Sequence, residues 1–214
     1  MMKSLFTMCS ILVLSMLVSS VVFAEPTHPN EVGLYMTPDG YGATGTMETM
    51  VPVDVFLVLT KPADAENGFV PFSHVLGFEL ALHFDPAPYG DLFKLGEVFP
   101  PGSINVGDNS DINQGFLDYI VGISTDYPLI VTDESVVLMT IIFFKVTASQ
   151  TAITLKPIIP ASISGEMAFL GEDYEQLRAM HSISGSHDAP VFIFNGEAVA
   201  VEKESFGSVK ALFR

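Results

Sequence analysis

The chain has 214 residues, of which 25 are acidic and 9 are basic, so its formal net charge is −16 at pH 7. This negative charge repels the phosphates of nucleic acid and of anionic membranes, and it excludes both as partners. The single cysteine, Cys9, lies within the first 24 residues. The rest of the chain therefore has no disulfide, no thiolate nucleophile and no cysteine metal site.

Residues 1–24 have the pattern of a secretory signal peptide. One basic residue, Lys3, precedes the apolar run Leu5–Phe23, and the small residue Ala24 stands before Glu25. This combination predicts cleavage after Ala24. The alternative is an uncleaved membrane anchor, because the run approaches the length of a spanning helix. We expect a secreted protein (periplasmic, cell-surface or extracellular) whose mature chain has no membrane span.

Residues 25–202 are predicted to form one domain built of strands. Apolar and polar side chains alternate along Glu31–Met36, Met50–Thr60, Gly77–Phe84, Leu117–Ile123 and Ala152–Lys156, and Val136–Thr147 is a longer and more apolar strand. Loops rich in Pro, Gly, Asp and Asn separate these segments. About ten such strands are typical of a sandwich. The expected fold class is all-β, a single antiparallel β-sandwich, and the strand pattern alone leaves a barrel as the alternative.

Two hairpins are predicted after the last of these strands. Asn195-Gly196 tolerates the positive φ angles of a type I′ turn and stands between the apolar segments VFIF and EAVAV. Met167–Leu170 and Leu177–Met180 either form a second hairpin or give way to a short helix over Glu172–Met180.

The last residues, 203–214, form a basic and apolar tail that differs from the domain. Phe206, Val209 and Phe213 fall at helical spacing, with Ser205 placed to cap a helix. The tail is a short helix that closes the sandwich or a frayed terminus. The functional alternative is a docking or sorting peptide.

The segment Val136–Thr147 is apolar on both of its faces. Met139, Ile141 and Phe143 share one face. A strand with two apolar faces is either covered on both sides or exposes one side to a partner. Met139, Ile141 and Phe143 are therefore the candidate protein-binding surface if nothing in the chain covers them.

The sequence resembles the cohesin family and related carbohydrate-binding β-sandwiches. The resemblance is carried by VPVDVFLVLT (51–60), GFELALHFDP (77–86) and VLMTIIFFKVTASQTAITLKP (137–157). It implies a jelly-roll fold and binding of dockerin modules in extracellular polysaccharide-degrading assemblies, or of polysaccharide itself. The segment Met167–Val201 extends beyond the cohesin length, and no binding residue can be carried over by position.

A carbohydrate-binding module is the second hypothesis for function. The chain has no tryptophan, the side chain that stacks best on a flat ligand face, which favours a protein partner over a polysaccharide. Tyr41 and Tyr89 lie in predicted loops and are the candidate platform for a sugar ring.

The loop Asn105–Asn113 collects oxygen-bearing side chains. Asp108, Asn109, Asp111 and Asn113 are candidate ligands for a structural Ca²⁺, which prefers six to eight oxygens. The spacing does not follow the EF-hand pattern. The alternative is a loop of Asx-rich turns with no cofactor.

No constellation of residues indicates catalysis, since the sequence has neither a G-x-S-x-G elbow nor an H-E-x-x-H motif. We therefore expect a non-catalytic secreted binding module that engages a protein partner. The alternatives are a carbohydrate-binding module and a structural component of the envelope or matrix.

Overall fold

The structure is a computed structural model that describes residues 28–40, 44–45, 47–174 and 176–195. Within these ranges it contains fifteen strands and one 3₁₀ helix. The strands are β1 (Glu31–Tyr35), β2 (Thr44–Gly45), β3 (Pro52–Thr60), β4 (Ala63–Asp64), β5 (Val70–Pro71), β6 (His74–Asp85), β7 (Leu92–Val98), β8 (Ser103–Asn105), β9 (Phe116–Ile123), β10 (Leu129–Ile130), β11 (Ser135–Lys145), β12 (Thr151–Lys156), β13 (Met167–Gly171), β14 (Leu177–Ser182) and β15 (Phe192–Phe194). The 3₁₀ helix spans Ile112–Gln114.

The first layer of the sandwich has the order β1-β3-β11-β7, with every neighbour antiparallel. Strand β7 forms its outer edge. In the register, Phe144 of β11 stands between Pro52 of β3 and Phe93 of β7. Since opposite residues of antiparallel strands share a face, each such row lies on one side of the layer.

The second layer is built around β6, the longest strand. Strand β9 pairs along one edge of β6, with β8 beyond it, while β12 and β13 share the other edge. Strand β15 continues outward from β12, and β2 from β15. Strand β14 pairs with β13 and also with β1, so it joins the two layers.

The core lies between the layers and follows the alternation that the sequence predicts. Phe78, Leu80, Leu82 and Phe84 of β6 all belong to it, whereas His83 faces outward. The jelly-roll β-sandwich is therefore confirmed. Most pairings are antiparallel, but two, β1 with β14 and β2 with β15, are parallel, so the sheet is mixed.

The candidate binding surface Met139, Ile141 and Phe143 is core, and this prediction was wrong. Their side chains are 1%, 0% and 0% exposed. The ring of Phe143 packs edge-on against Phe84 at 6.1 Å and Phe194 at 5.3 Å. The pairing of β11 with β3 shifts between Val137 and Met139, so this face of β11 turns toward the second layer and is covered there.

The prediction of a hairpin after Lys156 is confirmed, because β13 and β14 pair antiparallel. Among the described residues between them, 172–174 and 176, no helix is present. Met167 pairs with Met180, and both side chains are fully buried. The signal peptide, the second strand of the Asn195-Gly196 hairpin and the tail 203–214 lie outside the described residues.

Two buried ion pairs lie within the sandwich. Lys145, at the end of β11, is fully buried, and its Nζ contacts the Asp91 carboxylate and donates to Thr151 Oγ1 at 3.0 Å. Burial alone would raise the pKa of Asp91, but hydrogen bonds from Lys145, Ser149 and Thr147 together hold that pKa well below its usual range.

The second ion pair joins the β4–β5 hairpin to β14. Arg178 donates from Nε and Nη2 to the two Asp64 carboxylate oxygens, each at 3.1 Å, and its guanidinium lies 5.7 Å from the centre of the Phe72 ring. Hydrogen bonds from Arg178 and Asn67 hold the pKa of Asp64 well below its usual range. Bidentate geometry of this kind fixes the position of the β4–β5 hairpin.

Candidate functional site

The outer surface of the second layer carries a mixture of apolar, aromatic and charged side chains, which we call the mixed face. Its members are Glu79, Ala81 and His83 of β6, Phe116, Asp118 and Ile120 of β9, Thr154 and Lys156 of β12, Ile104 of β8 and the following Val106. Strand alternation places these side chains outward because their neighbours Leu80, Leu82 and Leu117 fill the core.

The register brings the members of the mixed face into rows. His83 stands opposite Phe116, and their rings stack at 5.9 Å with an angle of 27° between their planes. Asp118 stands opposite Ala81. At the β8 edge, Ile104 and Val106 are 69% and 71% exposed. Aliphatic side chains this exposed, beside a half-buried aromatic pair, are typical of a contact surface.

Two titratable groups on this face have shifted pKa values. Burial lowers the pKa of His83, and the nearby Lys156 lowers it further, although Asp118 opposes both. Burial raises the pKa of Asp118, and Asp108 also raises it, against the effect of His83. Within the described residues no side chain donates a hydrogen bond to the Asp118 carboxylate. This face therefore carries a carboxylate whose charge is poorly stabilised by its own fold.

The other charges of the mixed face are engaged within the chain. Lys156 contacts Asp188 at 3.0 Å. Glu79 is buried beneath the loop after β12, where it accepts hydrogen bonds from the backbone N of Ser162 at 2.7 Å and from its hydroxyl at 2.6 Å. Asp118 is therefore the acidic residue of the mixed face whose carboxylate can contact a ligand.

We expect Asp118→Asn to raise the free energy of unfolding at pH 7 by about 0.5 kcal/mol. A carboxyl group whose pKa is raised on folding destabilises the folded state when it is ionised. The stability that Asp118→Asn gains should shrink as the pH falls, because the Asp118 carboxyl then becomes neutral in both the folded and the unfolded state. Urea unfolding at pH 7 and pH 3 measures both effects. A variant that is less stable at pH 7 would contradict the assignment.

The outer surface of the first layer is different, and we call it the apolar face. Its rows are Pro52–Phe144–Phe93, then Asp54–Ile142–Gly96 with Leu95 at a bulge, then Phe56–Thr140–Val98. Leu95 is 56% exposed and Val98 is 57% exposed, while the rings of Phe93 and Phe144 lie 6.4 Å apart. Asp54 is the one charged residue in these rows.

The predicted calcium loop is held together by its own hydrogen bonds. Asp108 accepts from the backbone N and hydroxyl of Ser110, and Asp111 caps the 3₁₀ helix by accepting from Asn113. Asn113 in turn accepts from the backbone N of Gly90 at 3.1 Å. These are the Asx-type turns that the sequence offered as the alternative to a metal site.

The fourth predicted ligand, Asn109, turns away from the loop. Its Nδ2 donates to Glu97 at 2.6 Å, and Glu97 also receives Lys94 Nζ at 2.7 Å and the Tyr119 hydroxyl at 2.6 Å. Across the described ranges, no group of three or more His, Asp or Glu side chains is placed to hold a metal ion.

Of the two candidate sugar-stacking tyrosines, the structure places only Tyr89. It is 81% exposed and adopts a positive φ of 35° in the loop between β6 and β7. Tyr41 lies outside the described residues. The two rings are therefore not shown to form a platform.

A cleft of about 430 Å³ lies beside the second buried ion pair, between the β4–β5 and β13–β14 hairpins. His28, Glu66, Phe69, Arg178 and His181 are among the residues that line it. The guanidinium of Arg178 faces the carboxylates of Asp64 and Asp173, so its charge is compensated within the chain, although its buried Nη1 has no hydrogen-bond partner among the described residues.

In the described part of the chain, no helix is long and apolar enough to cross a membrane. No family model and no curated protein matches the sequence. Among solved structures, a type II cohesin domain from the cellulosome of Acetivibrio cellulolyticus is similar, with a TM-score of 0.50 and 12% identity. The match covers 79% of this chain and 98% of that domain.

Two other cohesins align less closely in space. A chain from an N-terminal interface mutant of the type II cohesin–X–dockerin complex of Acetivibrio cellulolyticus has a TM-score of 0.48 and 14% identity, covering 78% of this chain and 100% of that one. A non-cellulosomal cohesin from the archaeon Archaeoglobus fulgidus has a TM-score of 0.40 and 10% identity, covering 71% and 86%. The match to the first of these cohesins, at a TM-score of 0.50 and 12% identity, supports a cohesin-like β-sandwich, and the likeness concerns the fold alone.

Proposed function

We propose that this protein is a non-catalytic, secreted binding module whose mixed face docks a protein partner. The observation that carries the proposal is the position of Asp118. Its carboxylate lies half-buried on an open sheet surface, between the Phe116–His83 stack and the exposed Ile104 and Val106. A partner that covered this surface would bury the aliphatic side chains and could supply the missing donor to Asp118.

The composition of the mixed face supports a protein partner rather than a small molecule. Protein interfaces combine an apolar or aromatic centre with a polar rim. The Phe116–His83 pair supplies the aromatic contribution, and Lys156, Asp118 and Thr154 supply the polar one. The mixed face runs across the paired strands β12, β6, β9 and β8, and an extended sheet surface of this kind suits a protein partner, whereas small-molecule sites are concave.

The charge of the chain favours a cationic partner surface. The chain carries −16 at pH 7, and Asp108 and Asp118 interact at one end of the mixed face. Complementary charge accelerates encounter and selects among partners. A basic side chain placed against Asp118 would stabilise its ionised form, which the free protein does poorly.

Two further observations support the proposal. The likeness to a cohesin domain of a cellulosome is a likeness to a domain from a multiprotein assembly. The pattern of residues 1–24 predicts export. Together they favour a role in an extracellular or envelope assembly.

The test is capture of partners from the secreted and envelope fractions of the producing organism. The bait variant Ile104→Asp/Val106→Asp changes two exposed positions of the mixed face, and the control Leu95→Asp changes an equally exposed position of the apolar face. We expect the first variant to lose at least about tenfold in affinity for the captured protein, since tenfold corresponds to about 1.4 kcal/mol. The control should bind as the unmodified chain does.

Each other outcome contradicts the proposal in a defined way. Equal binding by both variants would place the contact elsewhere. Retention of polysaccharide without protein would favour the carbohydrate-binding alternative, with Tyr89→Ala as its test. Self-association without any partner would favour a structural role.

Because the loop containing Asp108 and Asp111 is held by hydrogen bonds, capture should be the same in Ca²⁺ and in EDTA.

A further inference from the structure

The apolar face is unusual for the surface of so acidic a chain. Its three rows hold seven apolar side chains and the single charge of Asp54. Leu95, Val98 and Phe93 remain 56%, 57% and 38% exposed. A contiguous patch of this kind marks a contact surface. It lies on the layer opposite the mixed face, so a partner on the mixed face would leave it open.

The described chain ends beside this patch. Asn195 accepts a hydrogen bond from the backbone N of Met47 at 2.8 Å and donates to the carbonyl of Ser149 at 3.4 Å. Three residues after Met47, the backbone N of Met50 donates to the carbonyl of Lys145 at 2.8 Å. Lys145 follows Phe144 directly, so the chain leaves the described structure at the end of the sandwich where the Pro52–Phe144–Phe93 row lies.

Residues 196–214 follow this exit point and are long enough to reach the patch. Strands β12 and β2 already occupy both edges of β15, so no edge is left there for the EAVAV strand of the predicted hairpin. The nine residues 196–204 can therefore serve as a linker, which spans about 30 Å when extended. The apolar face extends only about 13 Å along β11, from Phe144 to Thr140, at roughly 3.3 Å per residue. A segment that begins at Ser205 can therefore lie over any of its three rows.

The composition of residues 205–214 complements the patch and the rest of the chain. The segment SFGSVKALFR contains Lys210 and Arg214 and no acidic residue, whereas residues 1–204 contain 7 basic and 25 acidic side chains. Its apolar residues Phe206, Val209 and Phe213 recur at the spacing that gives a helix one apolar side. A cationic segment with one apolar side fits an apolar surface whose surroundings are acidic.

We propose that residues 205–214 dock on the apolar face of the same chain. In this arrangement Phe206, Val209 and Phe213 cover the Phe144–Phe93 pair and Leu95, and the two cations of the segment face acidic groups such as Asp54. The segment thereby closes the first layer of the sandwich and leaves the mixed face free for the partner.

The test is disulfide trapping in the full chain. With Cys9→Ser as background, the introduced cysteines are the only ones. Leu95→Cys is combined with Ser208→Cys or with Ala211→Cys. The control replaces Leu95→Cys with Ile104→Cys, because Ile104 is even more exposed (69% against 56%) but lies on the mixed face. Disulfides formed under mild oxidation are identified by non-reducing gels and peptide mass spectrometry.

We expect at least one of the Leu95→Cys pairs to form an intramolecular disulfide at least about ten times faster than its Ile104→Cys counterpart. Adding Phe213→Asp should remove most of this preference, whereas Ser205→Asp should not. Equal rates at the two faces, or no disulfide with either tail position, would overturn the proposal. Disulfides that form only between chains would assign the patch to a second copy instead. Thermal melts of each reduced variant establish that it is folded.

Discussion

We expect Asp91→Ala to lower the free energy of unfolding by about 3–5 kcal/mol, the usual cost of removing one partner from a buried ion pair. The reason is the position of Lys145, whose side chain is fully buried while Asp91 remains 24% exposed. Without Asp91, the ammonium group of Lys145 would keep, among the described residues, only the Thr151 hydroxyl as a partner. Urea unfolding at pH 7 measures the loss.

The double variant Asp91→Ala/Lys145→Met is the control for this prediction. Replacing a whole buried pair by apolar groups is often nearly neutral, because the uncompensated charge disappears together with its partner. We therefore expect the double variant to recover most of the stability that Asp91→Ala loses. If the double variant is as unstable as Asp91→Ala, the loss comes from the Asp91 hydrogen bonds to Thr147 and Ser149 instead.

The pH dependence of the same effect has a definite sign. The pKa of Asp91 is lower in the folded state than in the unfolded chain. The stability that its ionised form contributes is therefore complete above the ordinary carboxyl pKa of about 4 and declines as the pH falls below that value. The difference between the unmodified chain and Asp91→Ala should be constant from pH 6 to pH 8 and should narrow below about pH 4.

The regular strands could be predicted from the sequence because their side chains alternate. In β6, Phe78, Leu80 and Leu82 point inward and His83 points outward, as the alternation requires. In β3, Val55 and Leu57 are core but Val51 is exposed and lies outside the strand. Alternation gives the two sides of a strand reliably, but it does not give the residue at which pairing begins.

The mixed face could not be predicted because it depends on pairing between distant segments. Ile104 lies in a three-residue strand within a loop rich in Pro, Gly, Asp and Asn, and no periodicity marks it. The stacking of His83 on Phe116 follows from the register of β6 with β9. The ion pair of Lys145 with Asp91 likewise joins residues 54 positions apart. Such contacts form only when distant segments pair in the sheets, so no local sequence pattern indicates them.

The assignment of β11 shows where reasoning from a single strand ends. Both of its sides are apolar, so composition alone cannot decide which side is core. The structure decides it, because the second layer covers Met139, Ile141 and Phe143, whereas Ile142 and Phe144 remain partly exposed on the apolar face. The two sides of β11 should therefore differ in how much they contribute to stability, which alanine substitutions of the neighbouring Phe143 and Phe144 can measure.

We expect Phe143→Ala to lower the free energy of unfolding by about 3–5 kcal/mol, the range for a buried phenylalanine whose loss leaves a cavity. Its ring is fully buried and contacts Phe84 and Phe194, so neighbouring strands of the second layer would lose contacts as well.

Phe144→Ala is the matched control. It removes the same side chain from the next residue of the strand, where the sandwich leaves the ring partly exposed, and should cost only about 1 kcal/mol, or about 2 kcal/mol if residues 205–214 dock over it. Urea unfolding of the two variants gives the comparison directly. Equal losses of stability in the two variants would contradict the assignment of the two sides of β11. A larger loss for Phe144→Ala would mean that Phe144 lies in the core and Phe143 on the surface.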